Sequence, residues 1–191
     1  MGQRPCALED LVKFTATAVA GAWLVDLEKR EDERGFFARS WCRDEFTRQG
    51  LNPNLAQANV AFTGAAGTLR GLHYQVAPHE EAKLVRCTAG AIFDVLVDLR
   101  RTSPTFKRWV GAELTAANRQ MLYIPEGCAH GYLTLQPESE TFYLVSAPYH
   151  GAAERGVRWN DPAFAIQWPL QPTLISAKDL AYPDFAPASD K

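Results

Sequence analysis

Short runs of apolar and β-branched residues recur along this chain and are separated by turn residues. Eight such runs, spaced by about ten residues, predict strands at 58–62, 69–75, 83–88, 91–99, 109–114, 120–124, 131–135 and 142–147. Turn residues separate them at 64–67, 89–90, 103–104, 117–118, 125–127 and 136–137. This spacing is typical of an all-β sandwich or jelly roll. The strand at 91–99 is apolar on both faces, which predicts that one face fills a barrel and the other packs on a second sheet or subunit.

The remaining segments predict a few short elements around these strands. Residues 23–27 form a strand that leads into a charged hairpin or loop at 28–34, and an aromatic strand follows at 36–41. Short helices are predicted at 43–49, with Gly50 as C-cap, and at 176–180, with Ser176 as N-cap. Without repeats or linkers, residues 1–191 predict a single domain, with a core jelly roll at about 20–170 and a C-terminal short helical segment at 171–191.

Composition excludes several classes of partner. The 191 residues, 47% of them hydrophobic, can bury a full core, and the net charge of −2 predicts no attraction to nucleic acid or to anionic membranes. The apolar stretch 15–25 is too short to span a bilayer, so no membrane segment is expected. Four scattered cysteines (Cys6, Cys42, Cys87 and Cys128), without a secretory signal, predict reduced thiols and a cytoplasmic protein.

Two stretches place a histidine among strand residues beside conformational breakers: LRGLHYQ at 69–75 and IPEGCAHG at 124–131. Arg70 and His73 would face opposite sides of a regular strand, so a shared pocket requires a twist or bulge, which Gly71 permits. With Lys83 and His130 from other strands, they could line one barrel mouth. Each alone is more often a hydrogen-bonded core residue or a solvent-facing cation. Together, so much positive charge in a strand-rich centre favours an anionic ligand.

An ordered set of segments resembles the dTDP-4-dehydrorhamnose 3,5-epimerase family. They span roughly residues 20–182 and comprise ERGFF (33–37), QAN (57–59), LRGLHYQ (69–75), KLVRC (83–87), FDVLVDLR (93–100), SPTF (103–106), IPEG with AHG (124–131) and SAKD (176–179). The resemblance implies a cupin-type β jelly roll, a homodimer that shares strands between subunits, and no metal or organic cofactor. It also implies an epimerase of a nucleotide-diphospho-4-keto-6-deoxyhexose, which inverts C3 and/or C5 through an enolate in deoxysugar (rhamnose-like) biosynthesis.

The same resemblance assigns roles to individual residues. His73 would be the base, Asp179 would hold its imidazole in the right tautomer, and Lys83 would stabilise the enolate oxygen. Tyr143 would be the acid on the opposite face, a more effective donor if neighbouring positive charge lowers its pKa. The implied binding residues are Arg34, Arg70, His130 and Lys178 for the diphosphate, and Phe37, Gln57, Asn59 and Tyr149 for the base and sugar.

One position departs from the family pattern and leaves an alternative substrate open. Arg39 stands at the nucleotide-base end, where the rhamnose-pathway enzymes usually carry a glutamate that touches the base. This charge reversal leaves the nucleotide open, and the alternative is a 3- or 5-monoepimerase that acts on a CDP or GDP sugar.

Two other classes of cupin are also open. A metal-dependent enzyme would use His73, His79, Glu80 and His130 as ligands, although the usual HxH pair is missing after His73. The other class is a non-catalytic protein that binds sugar nucleotides, and the joint presence of a base and an acid argues against it.

Overall fold

The computed structural model describes residues 12–185, which form two mainly antiparallel β-sheets, a small hairpin, two short α-helices and one turn of 3₁₀-helix at Gly151–Ala153. The elements are β1 (Val12–Ala16), β2 (Trp23–Leu27), β3 (Arg30–Asp32), β4 (Gly35–Phe37), α1 (Arg43–Arg48), β5 (Gln57–Thr63), β6 (Thr68–Gln75), β7 (Lys83–Ala89), β8 (Ala91–Asp98), β9 (Trp109–Thr115), β10 (Met121–Ile124), β11 (Cys128–Thr134), β12 (Ser139–Val145), β13 (Glu154–Gly156), β14 (Leu174–Ile175) and α2 (Ala177–Leu180). Residues 1–11, with Cys6, and 186–191 of the predicted single domain lie outside the described part.

All eight predicted central strands are confirmed, with shifted ends. Strand β11 begins at Cys128 because Cys128 and His130 pair with β8, and β12 begins at Ser139 because its first residues pair with β5. The aromatic strand predicted at 36–41 is shorter than expected and ends at Phe37. Beyond that residue the hairpin partner, β3, has no further residues with which to pair.

The two sheets interleave along the chain. One sheet has the strand order β1-β2-β10-β7-β12-β5, and the other has β13-β6-β11-β8-β9, with β14 parallel to β6. Consecutive strands such as β6 and β7 therefore lie in different sheets, which makes the fold a cupin-type jelly roll, as predicted. The main core lies between the sheets and includes Val85, Leu122, Leu96 and Leu114, none of which is exposed.

The outer face of β8 corrects one expectation. Val95 and Val97 pack against Val157, Phe164 and Ile166 of the segment that follows β13. This face is therefore covered by the chain's own C-terminal region and not by a second sheet or a subunit.

Both predicted helices are present, and the second one orients a candidate site residue. Gly50, with φ of 75°, follows the C-cap of α1. In α2, the Ser176 hydroxyl accepts the Asp179 N–H at 3.1 Å, which is the capping contact that the sequence predicts. Within residues 12–185, no helix has the length and apolarity needed to cross a membrane.

Candidate active site

A distortion of β6 turns Arg70 and His73 toward one cavity. The pairing of β6 with β11 shifts register between His130 and Tyr132, as the sequence requirement for a bulge near Gly71 anticipates. Gly71 has φ of 115°, and a Cβ there would lie 2.6 Å from the Cα of Gly131. Since no other residue fits, glycine at this position allows the two strands to approach and both basic side chains to line the cavity.

Two adjoining cavities form one cleft at the mouth of the barrel. Their volumes are about 510 and 420 Å³, and they share His73, Lys83 and Tyr143. His73 comes from β6 of one sheet, whereas Lys83 and Tyr143 come from β7 and β12 of the facing sheet. The three side chains with the most reactive chemistry therefore lie where the two cavities meet. We call this space the active-site cleft.

His73 and Asp179 form a dyad in the larger cavity. Asp179 Oδ1 lies 2.7 Å from His73 Nε2, and Oδ2 accepts the Gly71 N–H at 3.1 Å. Burial opposes ionisation of Asp179, but the hydrogen bonds from His73 and Gly71 outweigh it and lower the pKa of this carboxyl. An ionised carboxylate can only accept, so His73 carries its proton on Nε2 and leaves the Nδ1 lone pair available as a base.

The ring of Tyr182, which the sequence interpretation missed, lies edge-on to the His73 imidazole at 5.8 Å between centroids. Tyr182 follows the C-cap of α2, so this helix supplies the carboxylate and the residues just after it supply a packing partner of the histidine. This contact restricts the ring orientation of His73.

Lys83 has a carboxylate partner that the sequence interpretation also missed. Its Nζ lies 3.1 Å from Glu81 Oε1, and the two side chains are only 12% and 10% exposed. Glu81 lies two residues before Lys83, in the loop that precedes β7, and this closeness in sequence is the signal that could have revealed the pair. The cleft therefore contains an anion beside its central cation.

The surroundings of Tyr143 change the pKa of its phenol. Burial first, then Tyr132 and Glu81, raise the pKa of Tyr143, and Arg70 offsets this only in part. The condition that neighbouring positive charge lowers this pKa is not met, because burial, Tyr132 and Glu81 together outweigh Arg70. Tyr143 is thus a phenol, not a phenolate, at neutral pH.

His130 lies deeper in the barrel than the sequence suggests. It is 8% exposed, and its Nε2 lies 2.7 Å from Oδ1 of Asp94, which is fully buried on β8. The second oxygen of Asp94 has no partner among the described residues. A carboxylate inside the apolar strand 91–98 was the signal for this second histidine–carboxylate pair.

The other predicted binding residues fall into two groups. One group lines the cleft, with Arg70 and Lys178 at the larger cavity and Gln57, Asn59 and Tyr149 at the smaller one. Glu154, which sequence reasoning missed, accepts Lys178 Nζ at 2.6 Å and the Tyr149 hydroxyl at 2.8 Å. Its pKa is lowered because the hydrogen bonds from these two groups outweigh its burial.

The second group, Arg34, Phe37 and Arg39, does not line the cleft of its own chain. Arg34 is paired with Asp32 in the exposed β3–β4 hairpin, and Phe37 is 67% exposed. Arg39 Nη1 lies 2.9 Å from Oε1 of the buried Glu45 in α1. The Arg39 charge is therefore balanced by Glu45.

The residues proposed as metal ligands are not gathered into a ligand set. Across residues 12–185, no three or more His, Cys, Asp or Glu side chains are arranged to hold a metal ion. The imidazole of His79 is stacked on that of His150, with centroids 3.9 Å apart. This geometry gives the metal-dependent alternative no support.

A jelly roll whose cleft holds a carboxylate-oriented histidine opposite a lysine and a tyrosine defines a cupin-type isomerase. The model of the dTDP-4-dehydrorhamnose 3,5-epimerase family matches residues 16–187. The chain belongs to this family, as the resemblance of its motifs indicates.

Individual relatives agree with this assignment. The dTDP-4-dehydrorhamnose 3,5-epimerase of Sinorhizobium fredii is 41% identical over 175 residues, which are 91% of this chain and 90% of the relative. The crystal structure of the Bacillus anthracis enzyme with TDP and PPi bound has a TM-score of 0.86 at 40% identity and covers 91% of this chain and 99% of that chain. The structure of the Legionella pneumophila enzyme in complex with dTDP-4-keto-L-rhamnose has a TM-score of 0.83 at 35% identity and covers 90% of this chain and 91% of that chain.

Proposed function

We propose that this protein is a cofactor-independent epimerase that inverts C3 and C5 of a dTDP-4-keto-6-deoxyhexose in deoxysugar biosynthesis. The observation that carries the proposal is the position of His73 and Tyr143 on facing sheets, with Lys83 between the two cavities. Protons beside a keto group are acidic enough for a side-chain base, so the reaction requires no redox carrier. Inversion requires a base on one face of the sugar and an acid on the other.

The first step is removal of a proton from the carbon beside the carbonyl. His73 Nδ1 accepts this proton, and the imidazolium that results is stabilised by the Asp179 carboxylate 2.7 Å from Nε2. The electron pair of the C–H bond moves to the carbonyl oxygen and forms an enolate. The Lys83 ammonium stabilises this oxygen with a charge that is already in place before the reaction.

The second step returns a proton from the opposite face. Tyr143 is held as a phenol, since burial and Glu81 raise its pKa, and it donates its proton to the enolate carbon. The carbon is then inverted, the carbonyl is restored, and Tyr143 is left as phenolate. Exchange with water returns His73 and Tyr143 to their starting states.

The nucleotide diphosphate occupies the rest of the cleft. Arg70 and Lys178 supply positive charge at the larger cavity, His130 lines it as a further contact for the diphosphate, and Tyr149 offers an exposed aromatic face at the smaller cavity. Thymidine is the favoured nucleotide for two reasons. The Bacillus anthracis and Legionella pneumophila relatives hold TDP and a dTDP sugar, and Arg39 is neutralised by Glu45. The CDP- or GDP-sugar monoepimerase is the competing assignment.

We also infer a homodimer that shares strands and a cytoplasmic location. Strand β5 is an edge strand of its sheet, and its residues Val60 and Phe62 are 61% and 57% exposed. The β3–β4 hairpin exposes Phe37 and Arg34. Exposed apolar side chains at an open sheet edge favour pairing with a second copy, which would bring the hairpin to the partner's cleft. Cys42, Cys87 and Cys128 are free thiols, which fits a reducing compartment.

Solvent deuterium exchange tests the reaction. In D₂O, the wild-type protein should incorporate deuterium at C3 and C5 of dTDP-4-keto-6-deoxyglucose, as followed by NMR, and His73→Ala should abolish both exchanges. The absence of exchange by wild type on the dTDP, CDP and GDP sugars would overturn the proposal.

Active-site complementation tests the shared dimer. Arg34→Ala and His73→Ala should each be inactive alone. After mixing and subunit exchange, the heterodimers should restore about a quarter of the wild-type rate, because half of the dimers then contain one intact site. Mixed variants that stay inactive, or a monomer by light scattering, would contradict strand sharing.

A further inference from the structure

The carboxylate of Glu81 occupies a position in the cleft that the proposed reaction does not use. It lines the smaller cavity beside Tyr143, and its Oε1 lies 3.1 Å from Lys83 Nζ. Both side chains are shielded from water, so each compensates for a charge that would be costly to hold there alone. An ammonium has three N–H donors, and one contact with Glu81 leaves the others available to a substrate oxygen.

Glu81 is itself held in place by a buried amide. Gln75, 3% exposed, donates from Nε2 to Glu81 Oε2 at 3.3 Å and to the His79 carbonyl at 2.9 Å. The same nitrogen reaches the Pro148 carbonyl at 3.3 Å, and Oε1 accepts the His150 N–H. The orientation of the carboxylate is therefore coupled to the backbone on both sides of the smaller cavity.

We propose that Glu81 is a positioning residue that holds the Lys83 ammonium at the site of the enolate oxygen. This inference rests on the proposed epimerisation. A flexible lysine stem has many rotamers, and an ion pair to a fixed carboxylate selects the one that extends into the cleft. Without this contact, Lys83 would sample other positions, and the transition state would lose more stabilisation than the bound substrate would.

The negative charge of Glu81 also acts on Tyr143. The charged and titratable groups around that phenol are Arg70 and His73 from β6, Tyr132 from β11, and Lys83 with Glu81. Glu81 and Tyr132 favour the protonated phenol, whereas Arg70 opposes it. Removal of the Glu81 charge should therefore let Tyr143 ionise at lower pH. Exposure of the phenol on loss of structure would lower its pKa as well, because burial is the largest cause of the raised value. The diagnostic comparison is therefore with Glu81→Asp, which keeps the charge and should leave the Tyr143 titration close to that of wild type.

The test compares Glu81→Gln with the matched control Glu113→Gln, at an exposed position of the outer strand β9. Glu81→Gln should lower kcat by about tenfold with KM changed by less than about threefold, and Glu81→Asp should restore part of it. In a Lys83→Met background the same substitution should have little further effect, since Glu81 acts through Lys83. The basic limb of the kcat–pH profile should move to lower pH.

A second measurement requires no turnover. The tyrosinate absorbance of Tyr143, identified by its loss in Tyr143→Phe, should appear at lower pH in Glu81→Gln than in wild type. A Glu81→Gln variant with wild-type kcat and an unchanged Tyr143 titration would overturn the inference. An equal loss of kcat from Glu81→Gln in the wild-type and Lys83→Met backgrounds would also overturn it. A wild-type protein that exchanges no deuterium, but whose Tyr143 titration responds to Glu81, would refute the proposed function instead.

Discussion

Replacement of Asp179 by asparagine removes the charge of the dyad and almost nothing else. The carboxylate is 3% exposed and accepts two hydrogen bonds, from His73 Nε2 and from the Gly71 N–H. An asparagine has one acceptor oxygen, which the fixed Gly71 N–H takes. Its NH₂ group then faces His73, so Nε2 must accept and Nδ1 must carry the proton. The imidazole would then present an N–H to the substrate instead of a lone pair.

The size of the effect follows from these contacts. Loss of a correctly oriented general base lowers kcat by about 10²- to 10⁴-fold, which corresponds to about 3–5.5 kcal/mol on the barrier. Loss of the charge-assisted hydrogen bond lowers the free energy of unfolding at pH 7 by about 1.5–3 kcal/mol.

The stabilisation by the Asp179 carboxylate depends on pH in a defined direction. The pKa of Asp179 is lowered in the folded state, where the hydrogen bonds from His73 and Gly71 outweigh burial. The stabilisation is therefore present above the unfolded value of about 3.9 and is lost as pH falls below it through the folded pKa. The stability difference between wild type and Asp179→Asn should narrow below about pH 4.

Deuterium incorporation at C3 and C5 measures the rate, and urea unfolding at pH 7 and pH 3.5 measures stability. Asp44→Asn, an exposed position in α1, is the matched control. An Asp179→Asn protein that exchanges deuterium within about threefold of wild type would refute the assignment of Nδ1 as the base. A stability difference that grows as the solution becomes acidic would refute the ionisation argument.

Four further outcomes are expected. Tyr143→Phe should slow net inversion by about 10²-fold or more while it retains deuterium exchange, measured together by NMR. Gly71→Ala should lower unfolding free energy by about 1–3 kcal/mol and exchange activity with it, because φ is 115° and the new Cβ meets Gly131. Asp98→Asn should lower unfolding free energy by about 3–5 kcal/mol in urea, because this fully buried carboxylate accepts from Arg100, Ser103 and Thr105. In a thermal-shift panel, dTDP at a hundred times its Kd should stabilise the protein by about 2.7 kcal/mol, and CDP or GDP at the same concentration should stabilise it less; the reverse order would favour the competing nucleotide.

Most strands could be predicted because their signal is local. Alternating or continuous apolar runs bounded by turn residues define β6 to β11 within a few residues. The start of β12 could not be predicted, since Ser139 and Thr141 are polar yet 1% exposed. Ser139 is hydrogen-bonded to the backbone of Ala91, and Thr141 donates to the Ala61 carbonyl. These contacts and the pairing with β5 and β7 exist only in the assembled sheets.

In the candidate site, too, some residues could be predicted from local sequence and others only from the fold. Gly71, His73 and Lys83 stand out in the sequence because glycine and charge interrupt strand patterns. Their carboxylate partners are less evident. Glu81 lies outside the strand pattern, in the loop before β7, and the other carboxylates reach their histidines only through the fold. Asp179 lies 106 residues from His73, and Asp94 meets His130 from a neighbouring strand.

The sequence by itself determined the jelly-roll class, the family and the residues able to do proton chemistry, since these depend on local pattern and ordered motifs. Only the tertiary structure decided which nitrogen of His73 is free, which carboxylate accompanies Lys83, and why the Tyr143 phenol keeps its proton. Those properties arise from distances of a few ångströms between side chains that the fold brings together, and from exclusion of water around them.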